Sequence, residues 1–267
     1  MSDLKDKRLF LLDMDGTIYL GNTIFDGTID LLSYVRSVDG RYAFLTNNSS
    51  KGTESYIEKL GKMGIEAVPD DFVTSADATI DFLSGIKENA VIYLCGTESL
   101  KRQFRSAGYD VRDELSDDIT LLLLGYDTEL TYKKLEDCCR LLNRGIRYMA
   151  THPDMVCPTE YGYAPDCGSM IEMLKTATGR LPEEVIGKPR PMMAFSAINK
   201  YGFTADQACL IGDRTYTDIA CAVNAGIDSI FVLSGEGVKE DIEKYDVHPT
   251  YIYDNVRKLV DDLRGKT

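Results

Sequence analysis

The sequence is short of several residue types on which common kinds of site depend. It has no tryptophan, two histidines and seven cysteines in 267 residues, and no two cysteines form a Cys-x-x-Cys pair. A structural zinc site is therefore not expected, and an odd, scattered set of cysteines does not indicate a disulfide framework. Scattered thiols of this kind fit a reducing cytoplasm.

Long apolar runs are also missing. No stretch of the sequence approaches the roughly 18 apolar residues of a membrane-spanning helix. The apolar run near the start of the chain, Leu9–Leu12, stops at Asp13 and lacks the length of a signal peptide. We therefore predict a cytoplasmic protein with no membrane partner.

Positive charge is scarce as well. The chain has 30 Lys and Arg residues against 43 Asp and Glu residues, which gives a formal net charge of -13 and an isoelectric point near 4.7. A nucleic acid partner is not expected, because phosphate backbones are bound by surfaces rich in Lys and Arg. A small phosphorylated metabolite is compatible with this charge, since a local cation can override the overall field.

What the sequence does contain is an ordinary globular composition and a regular alternation of strands and helices. Hydrophobic residues make up 44% and charged residues 27%, as in soluble globular domains, and the length allows one large or two moderate domains. Strand-like apolar runs alternate with amphipathic helical segments at the spacing of crossover connections. The predicted fold class is α/β, with a Rossmann-like, doubly wound parallel sheet.

Three of the predicted strands end in polar clusters. The clusters are Asp13-Met14-Asp15-Gly16-Thr17 after Leu12, Thr46-Asn47-Asn48 after Leu45, and Gly212-Asp213, followed by Asp218, after Ile211. Because parallel strands end along one sheet edge, these side chains are expected to converge. Converging carboxylates repel one another unless a hard cation such as Mg2+ binds oxygen ligands from Asp13 and Asp213. The alternative is an acidic turn without further role.

Lys188 is the expected countercharge for these carboxylates. It stands in the segment Ile186-Gly187-Lys188-Pro189. A P-loop is excluded there, because the glycine spacing is wrong and Pro189 replaces the required Ser or Thr. The alternative is a solvent-exposed loop lysine.

Taken together, four ordered motifs resemble those of the haloacid dehalogenase (HAD) superfamily. They are Asp13-x-Asp15-Gly16-Thr17, Thr46-Asn47-Asn48, Gly187-Lys188-Pro189 and Gly212-Asp213-x4-Asp218. The continuation Asp-Gly-Thr-Ile-Tyr-Leu-Gly of the first motif, and Pro191 after the third, are similar to subfamily IIA, the NagD-like and p-nitrophenyl phosphatase-like enzymes. The motifs occur in order between Leu9 and Asp218, so they are specific as a set.

The resemblance implies a role for each matching residue. Asp13 would be the nucleophile that forms an aspartyl-phosphate, and Asp15 would protonate the leaving oxygen and then deprotonate the attacking water. Mg2+ would be held by the Asp13 carboxylate, the backbone carbonyl of Asp15 and Asp213. The residues that would hold the phosphoryl oxygens are Thr46, Asn47 and Lys188.

Three further residues are implied less directly. Asp218 would orient Lys188 or a water molecule, and Asn48 would support the phosphate-binding residues from behind. Arg214 stands at a position that is often Asn in relatives, which leaves its role open.

The middle of the chain resembles the α/β cap of this subfamily, which covers the site and touches the leaving group. We place the cap at residues 81–181 and the catalytic core at 1–80 and 182–267, with a long loop from Thr151 to Gly168. The cap residues that are candidates for substrate specificity are Asp127, His152, Asp154 and Ser169. For His152, which replaces an Asn typical of relatives, the alternative is an exposed imidazole in a loop.

The resulting prediction is a Mg2+-dependent phosphatase of small phosphomonoesters, which would hydrolyse p-nitrophenyl phosphate in vitro. The alternatives are a phosphotransferase or mutase on the same core, a phosphorylation-switch protein and a non-catalytic binding protein. Sugar phosphates, glycerol phosphate, phosphoglycolate, nucleotides and pyridoxal phosphate all stay open as substrates. Relatives often pair through the cap, so a homodimer is open too.

Overall fold

The computed structural model describes residues 3–86, 89–159 and 161–265. The strands, in chain order, are β1 (Leu9–Leu12), β2 (Tyr19–Leu20), β3 (Thr23–Ile24), β4 (Arg41–Thr46), β5 (Phe72–Thr74), β6 (Val91–Cys95), β7 (Asp110–Arg112), β8 (Leu121–Leu124), β9 (Arg147–Ala150), β10 (Val156–Thr159), β11 (Gly162–Pro165), β12 (Glu184–Val185), β13 (Ala208–Gly212), β14 (Asp228–Val232) and β15 (Tyr251–Tyr253).

The α-helices lie between these strands. In chain order they are α1 (Thr28–Ser37), α2 (Thr53–Lys62), α3 (Ser75–Gly85), α4 (Glu98–Ser106), α5 (Tyr132–Asn143), α6 (Cys167–Thr178), α7 (Met192–Tyr201), α8 (Ala220–Ala225), α9 (Glu240–Tyr245) and α10 (Val256–Leu263). Within the described ranges, none of the helices combines the length and the apolar character needed to cross a bilayer.

The chain divides into two compact units. The core unit consists of Met1–Thr46, Thr53–Val73 and Lys188–Thr267, and the inserted unit of Asn47–Gly52 and Thr74–Gly187. The cap predicted at 81–181 falls within the inserted unit, which starts and ends several residues further out.

A six-stranded sheet forms the centre of the core unit, in the order β15-β14-β13-β1-β4-β5. β1 pairs in parallel with β4 on one side and β13 on the other, so Leu12 lies opposite both Phe44 and Ile211. All four residues of β1 are fully buried, and each leucine among them contributes about 2 kcal/mol through burial. The registers bring the carboxyl ends of the three central strands level with one another.

The inserted unit has its own five-stranded parallel sheet, in the order β12-β9-β8-β6-β7. Its central strand β8 is a run of four fully buried leucines. Threonine side chains cap two of the helices around it, since Thr97 accepts from the Leu100 N–H and Thr131 from the Lys134 N–H. The predicted α/β class, with parallel sheets flanked by helices, is confirmed.

The long loop predicted from Thr151 to Gly168 is wrong. This segment contains the antiparallel hairpin of β10 and β11, a two-stranded sheet of its own. Prolines within both strands, Pro158 and Pro165, conceal the hairpin in the sequence, because proline is a poor strand residue except at sheet edges. Glu160 lies outside the described residues.

Candidate active site

Asp13 and Asp213 lie next to each other because their strands are neighbours in the core sheet. The backbone N–H of Asp13 extends the pairing of β1 with β13 by donating to the Ile211 carbonyl at 2.9 Å. Asp213 follows directly after the last residue of β13. The Thr17 hydroxyl lies 3.4 Å from a carboxylate oxygen of each aspartate, so one side chain contacts both.

Two glycines let the backbone pass close to these carboxylates. Gly16 adopts a φ of +85°, and a Cβ atom there would overlap the Asp213 carboxylate. Gly235, in the loop after β14, would overlap the same carboxylate if it carried a Cβ. A larger residue at either position would displace Asp213, which explains glycine at both.

Asp218 is the third carboxylate of the site. It lies on a π-helical turn, Thr215–Ile219, that leads from β13 into α8, and such turns are frequent at functional sites. Carboxylate oxygens of Asp13, Asp213 and Asp218 lie within 4.8 Å of one another. We call these three residues the carboxylate group.

Lys188 opposes the carboxylate group directly. Its Nζ donates to Asp13 Oδ1 at 2.5 Å and to Asp218 Oδ1 at 2.6 Å. The side chain is only 4% exposed, so the alternative of an exposed loop lysine is wrong. Burial lowers the pKa of Lys188, but the two carboxylates outweigh burial and raise it above its ordinary value. Lys188 is therefore a buried cation with two anionic partners.

The crowding of carboxylates changes their acidity. Burial raises the pKa of Asp13, and the Asp218 carboxylate raises it further, while the Lys188 ammonium acts in the opposite direction. Burial and Asp218 raise the pKa of Asp213 to about 6, although the backbone N–H of Glu236 and the cations nearby lower it. Burial, together with like charge nearby, thus disfavours the ionised forms of both carboxyl groups.

The carboxylate group fits a hard divalent cation. Its donors are carboxylate oxygens, which Mg2+ prefers over nitrogen or sulfur. A cation bound by Asp13 and Asp213 would offset the burial and the like charge that raise the pKa values of both residues. The side chains present therefore match the metal that the motifs imply.

Asp15 stands apart from the carboxylate group. Its side chain is 58% exposed, and its two oxygens contact the Tyr19 hydroxyl at 3.2 Å and the Lys59 Nζ at 3.5 Å. Asp15 is thus an exposed carboxyl group two residues from the partly buried Asp13.

The three polar residues after β4 divide between the units. Thr46 closes β4 in the core unit, whereas Asn47 and Asn48 belong to the inserted unit. The Asn47 amide donates to both carboxylate oxygens of Asp154, at 3.1 and 3.2 Å. Asn48 Oδ1 accepts from the backbone N–H and the hydroxyl of Ser50, at 2.9 and 2.7 Å. Both asparagines are thus held in defined orientations.

Comparisons with known proteins agree with this geometry. The family model described as haloacid dehalogenase-like hydrolase matches residues 10–110, and a second, HAD-hydrolase-like model matches residues 185–259. The chain is 32% identical to the acid sugar phosphatase of Staphylococcus epidermidis, over 97% of this chain and 99% of that protein. The chain belongs to the haloacid dehalogenase-like hydrolases.

Solved structures of other HAD hydrolases share its fold. The 4-nitrophenylphosphatase of Thermotoga maritima is similar with a TM-score of 0.89 and 37% identity, covering 97% of this chain and 98% of that one. A glycerol phosphate phosphatase of Mycobacterium tuberculosis in complex with magnesium has a TM-score of 0.89 and 32% identity, covering 97% and 79%. The predicted membership of subfamily IIA is confirmed.

Two of the cap candidates in this HAD hydrolase have defined partners inside the inserted unit. Asp127 is buried, and its carboxylate accepts from Lys134 Nζ at 2.8 Å and from the Glu129 N–H at 2.9 Å. Ser169 donates to the Met155 carbonyl at 2.5 Å from an exposed position. Asp127 thus forms a buried ion pair, and Ser169 ties α6 to the segment before β10.

The alternative of an exposed imidazole at His152 is wrong. The side chain has no accessible surface, and both ring nitrogens have partners, Nδ1 with the Thr151 hydroxyl and Nε2 with Asp166, each at 2.9 Å. Asp166 also accepts from the Cys167 N–H as the N-cap of α6. No local pattern predicts this burial, because the second partner lies fourteen residues further along the chain.

The loop after β14 also contributes to the site, and the motif analysis missed it. The Glu236 N–H donates to Asp213 Oδ2 at 2.8 Å, and the Ser234 hydroxyl donates to the Gly16 carbonyl at 2.9 Å. Glu236 forms an ion pair with Arg214 at 3.0 Å as well. The available signal was position, since β14 is a further parallel strand that ends at the same sheet edge.

Proposed function

We propose that this HAD hydrolase is a Mg2+-dependent phosphatase that hydrolyses small phosphomonoesters through an aspartyl-phosphate on Asp13. The observation that carries the proposal is the arrangement around Asp13. Its carboxylate is bonded to the buried Lys188 and lies beside Asp213 and Asp218. A partly exposed carboxylate, bonded to a fixed cation, is placed to attack phosphorus once it is ionised.

In the first step, an Asp13 oxygen attacks phosphorus and the bond to the ester oxygen breaks. Asp15 gives its proton to that oxygen, so the leaving group departs as an alcohol. Lys188, already beside Asp13, faces the charge that gathers on the phosphoryl oxygens, and it needs no reorganisation to do so. Thr46 and Asn47 are the further proposed donors to these oxygens.

In the second step, Asp15 is ionised and takes a proton from water. The water oxygen attacks phosphorus, the bond to the Asp13 oxygen breaks, and phosphate is released with the Asp13 carboxylate restored. Asp218, through its 2.6 Å contact, keeps Lys188 in place in both steps. Bound Mg2+, held by Asp13, Asp213 and the Asp15 carbonyl, would supply positive charge against the substrate phosphate.

The names of relatives support a small phosphomonoester as substrate. They are called acid sugar phosphatase, 4-nitrophenylphosphatase and glycerol phosphate phosphatase. We propose that the inserted unit selects among such esters, with Asp154 and Ser169 as candidate contacts. Asp127 and His152 are not carried forward, because both residues are buried within the unit, whereas Asp154 and Ser169 are not. A cytoplasmic location and a homodimer stay predictions.

The test is hydrolysis of p-nitrophenyl phosphate and a panel of phosphorylated metabolites by the purified protein, with Mg2+ and with chelator. We expect turnover with Mg2+, and inorganic phosphate as the product even when sugar acceptors are added. Asp13→Asn should abolish turnover, whereas Asp117→Asn, at an exposed carboxylate, should not. Substantial turnover by Asp13→Asn, with an unchanged melting temperature, would overturn the nucleophile assignment.

A further inference from the structure

Asp15 lies in a small cluster that the four motifs do not describe. Its Oδ2 accepts from the Tyr19 hydroxyl at 3.2 Å, and its Oδ1 lies 3.5 Å from Lys59 Nζ. Lys59 Nζ also lies 4.0 Å from the centre of the Tyr19 ring. We call Asp15, Tyr19 and Lys59 the proton-transfer cluster, and each member contacts the other two.

The backbone places Tyr19 in this cluster. The turn after β1 reverses the chain, so the Gly16 N–H donates to the Tyr19 carbonyl at 2.8 Å and the Tyr19 N–H to the Met14 carbonyl at 3.4 Å. The Tyr19 side chain is fully buried. Its hydroxyl is the hydrogen-bond donor to Asp15.

Lys59 reaches the cluster from a different element, the helix α2. Its side chain is 31% exposed, so its ammonium stays partly hydrated while it lies over the Tyr19 ring in a cation–π contact. Its neighbour Lys62, one turn along the same helix, pairs with Glu58 at 2.7 Å and is far more exposed. The two lysines share a helix, but only Lys59 contacts Asp15.

We propose that Tyr19 and Lys59 are positioning residues that hold the Asp15 carboxyl group in one orientation for proton transfer. The inference rests on the proposed function, in which Asp15 protonates the leaving oxygen. Each carboxylate oxygen of Asp15 has one donor of its own, so rotation of this exposed group is restricted. Proton transfer depends steeply on such alignment, because donor and acceptor must come within hydrogen-bond distance.

A purely structural role for the two residues predicts a different result. Tyr19 packs in the core cluster of its unit. A substitution that acted only by disturbing this packing would weaken the whole site. Such weakening would lower the rate equally for all leaving groups. A loss of proton transfer instead lowers the rate mainly for esters with a poor leaving group, because a good leaving group departs without being protonated.

The experiment compares Tyr19→Phe and Lys59→Met with matched controls, using p-nitrophenyl phosphate and phenyl phosphate. These esters differ in shape only by the nitro group, but phenolate is the poorer leaving group. The controls are Tyr42→Phe, whose hydroxyl bonds to Arg36 instead, and Lys62→Met. The measured quantity is kcat/KM, which reports the steps up to formation of the aspartyl-phosphate.

For Tyr19→Phe, we expect kcat/KM to fall about tenfold with phenyl phosphate and at most about twofold with p-nitrophenyl phosphate. For Lys59→Met we expect kcat/KM to fall about threefold with phenyl phosphate and to stay unchanged with p-nitrophenyl phosphate. In an Asp15→Asn background, Tyr19→Phe should cause no further loss, because the group that it positions is gone. Tyr42→Phe and Lys62→Met should affect both esters equally and weakly.

Equal losses for the two esters in both variants would overturn the inference, as would an additive loss in the Asp15→Asn background. If Tyr19→Phe does not fold, Lys59→Met decides alone, since it changes a partly exposed side chain. Failure of the proposed function is a separate outcome, recognised by full activity in Asp13→Asn. If Asp13→Asn is inactive but Tyr19→Phe and Lys59→Met lower kcat/KM equally for both esters, the positioning role is contradicted and the proposed function is not.

Discussion

The residues that the structure describes include two groups of three side chains that each have the spacing of metal ligands. In the core unit the group is Asp13, Asp213 and Asp218, and in the inserted unit it is His152, Asp154 and Asp166. In each group the potential ligand atoms lie within 4.8 Å of one another. Spacing alone therefore does not separate a catalytic centre from a structural one.

The group in the inserted unit is satisfied by hydrogen bonds. Both His152 nitrogens have partners, Asp154 accepts from the Asn47 amide, and Asp166 caps a helix. A metal ion would have to displace these bonds, which buried polar groups lose only at a cost of about 1–3 kcal/mol each.

The carboxylate group of the core unit is different, because like charges are held together. Lys188 bonds to two of the three carboxylates, and the pKa values of Asp13 and Asp213 stay raised despite it. Such an arrangement costs folding free energy. The two groups therefore differ in their partners and not in ligand spacing. Lys188 faces two carboxylates in the core unit, whereas hydrogen bonds with an amide, a hydroxyl and a backbone N–H satisfy the group in the inserted unit.

The largest expected contrast is between Asp13→Asn and Asp166→Asn. Both change one carboxylate to an amide of similar shape. We expect Asp13→Asn to lower kcat on p-nitrophenyl phosphate by more than about 1,000-fold, because the proposed nucleophile is lost. We expect Asp166→Asn to lower it by less than about tenfold, because Asn can also cap a helix. Comparable losses in the two variants would remove the distinction between the groups.

The second largest expected contrast between the two groups is their response to metal removal. In excess EDTA we expect no detectable turnover, with activity restored by Mg2+. Mg2+ should also stabilise the folded protein by about 2.7 kcal/mol at a concentration one hundred times its Kd. The thermal shift should persist in Asp166→Asn and disappear in Asp213→Asn. Persistence in Asp213→Asn would show that the ion binds elsewhere.

The raised pKa of Asp213 should be visible in the pH dependence of stability in chelator. The pKa of Asp213 is raised to about 6 in the folded protein, so the folded state binds its proton more tightly than the unfolded state does. The group therefore favours folding below about pH 4, and this contribution is lost as the pH rises through about 6. We expect a loss of about 2 kcal/mol over this window, measured by urea unfolding.

Asp213→Asn is the variant that tests this origin, since its amide does not titrate. Its unfolding free energy in chelator should vary less between pH 4 and 7 than that of the unchanged protein. An identical pH profile in both proteins would assign the dependence to other groups.

The sequence supports prediction wherever a local pattern fixes the structure. The apolar run of β1 ends at Asp13, and the strand before Asp213 ends in the same way, so parallel pairing alone implies that the two meet. The partners of Asp15 were not predictable, because Lys59 comes from a helix forty-four residues away. Burial of His152 escaped prediction for the same reason, since its partner Asp166 lies on the far side of an unrecognised hairpin.

The smallest expected effect is that of His152→Asn, which introduces the residue typical of relatives. The shorter amide cannot keep both the Thr151 and the Asp166 contacts, so one buried hydrogen bond is lost. We expect a stability decrease of about 1 kcal/mol, with KM for p-nitrophenyl phosphate and the Mg2+ thermal shift unchanged. Unfolding in urea and steady-state kinetics on the same preparation measure both. A rise in KM without a loss of stability would instead make His152 a substrate contact, and the group in the inserted unit would then be part of catalysis.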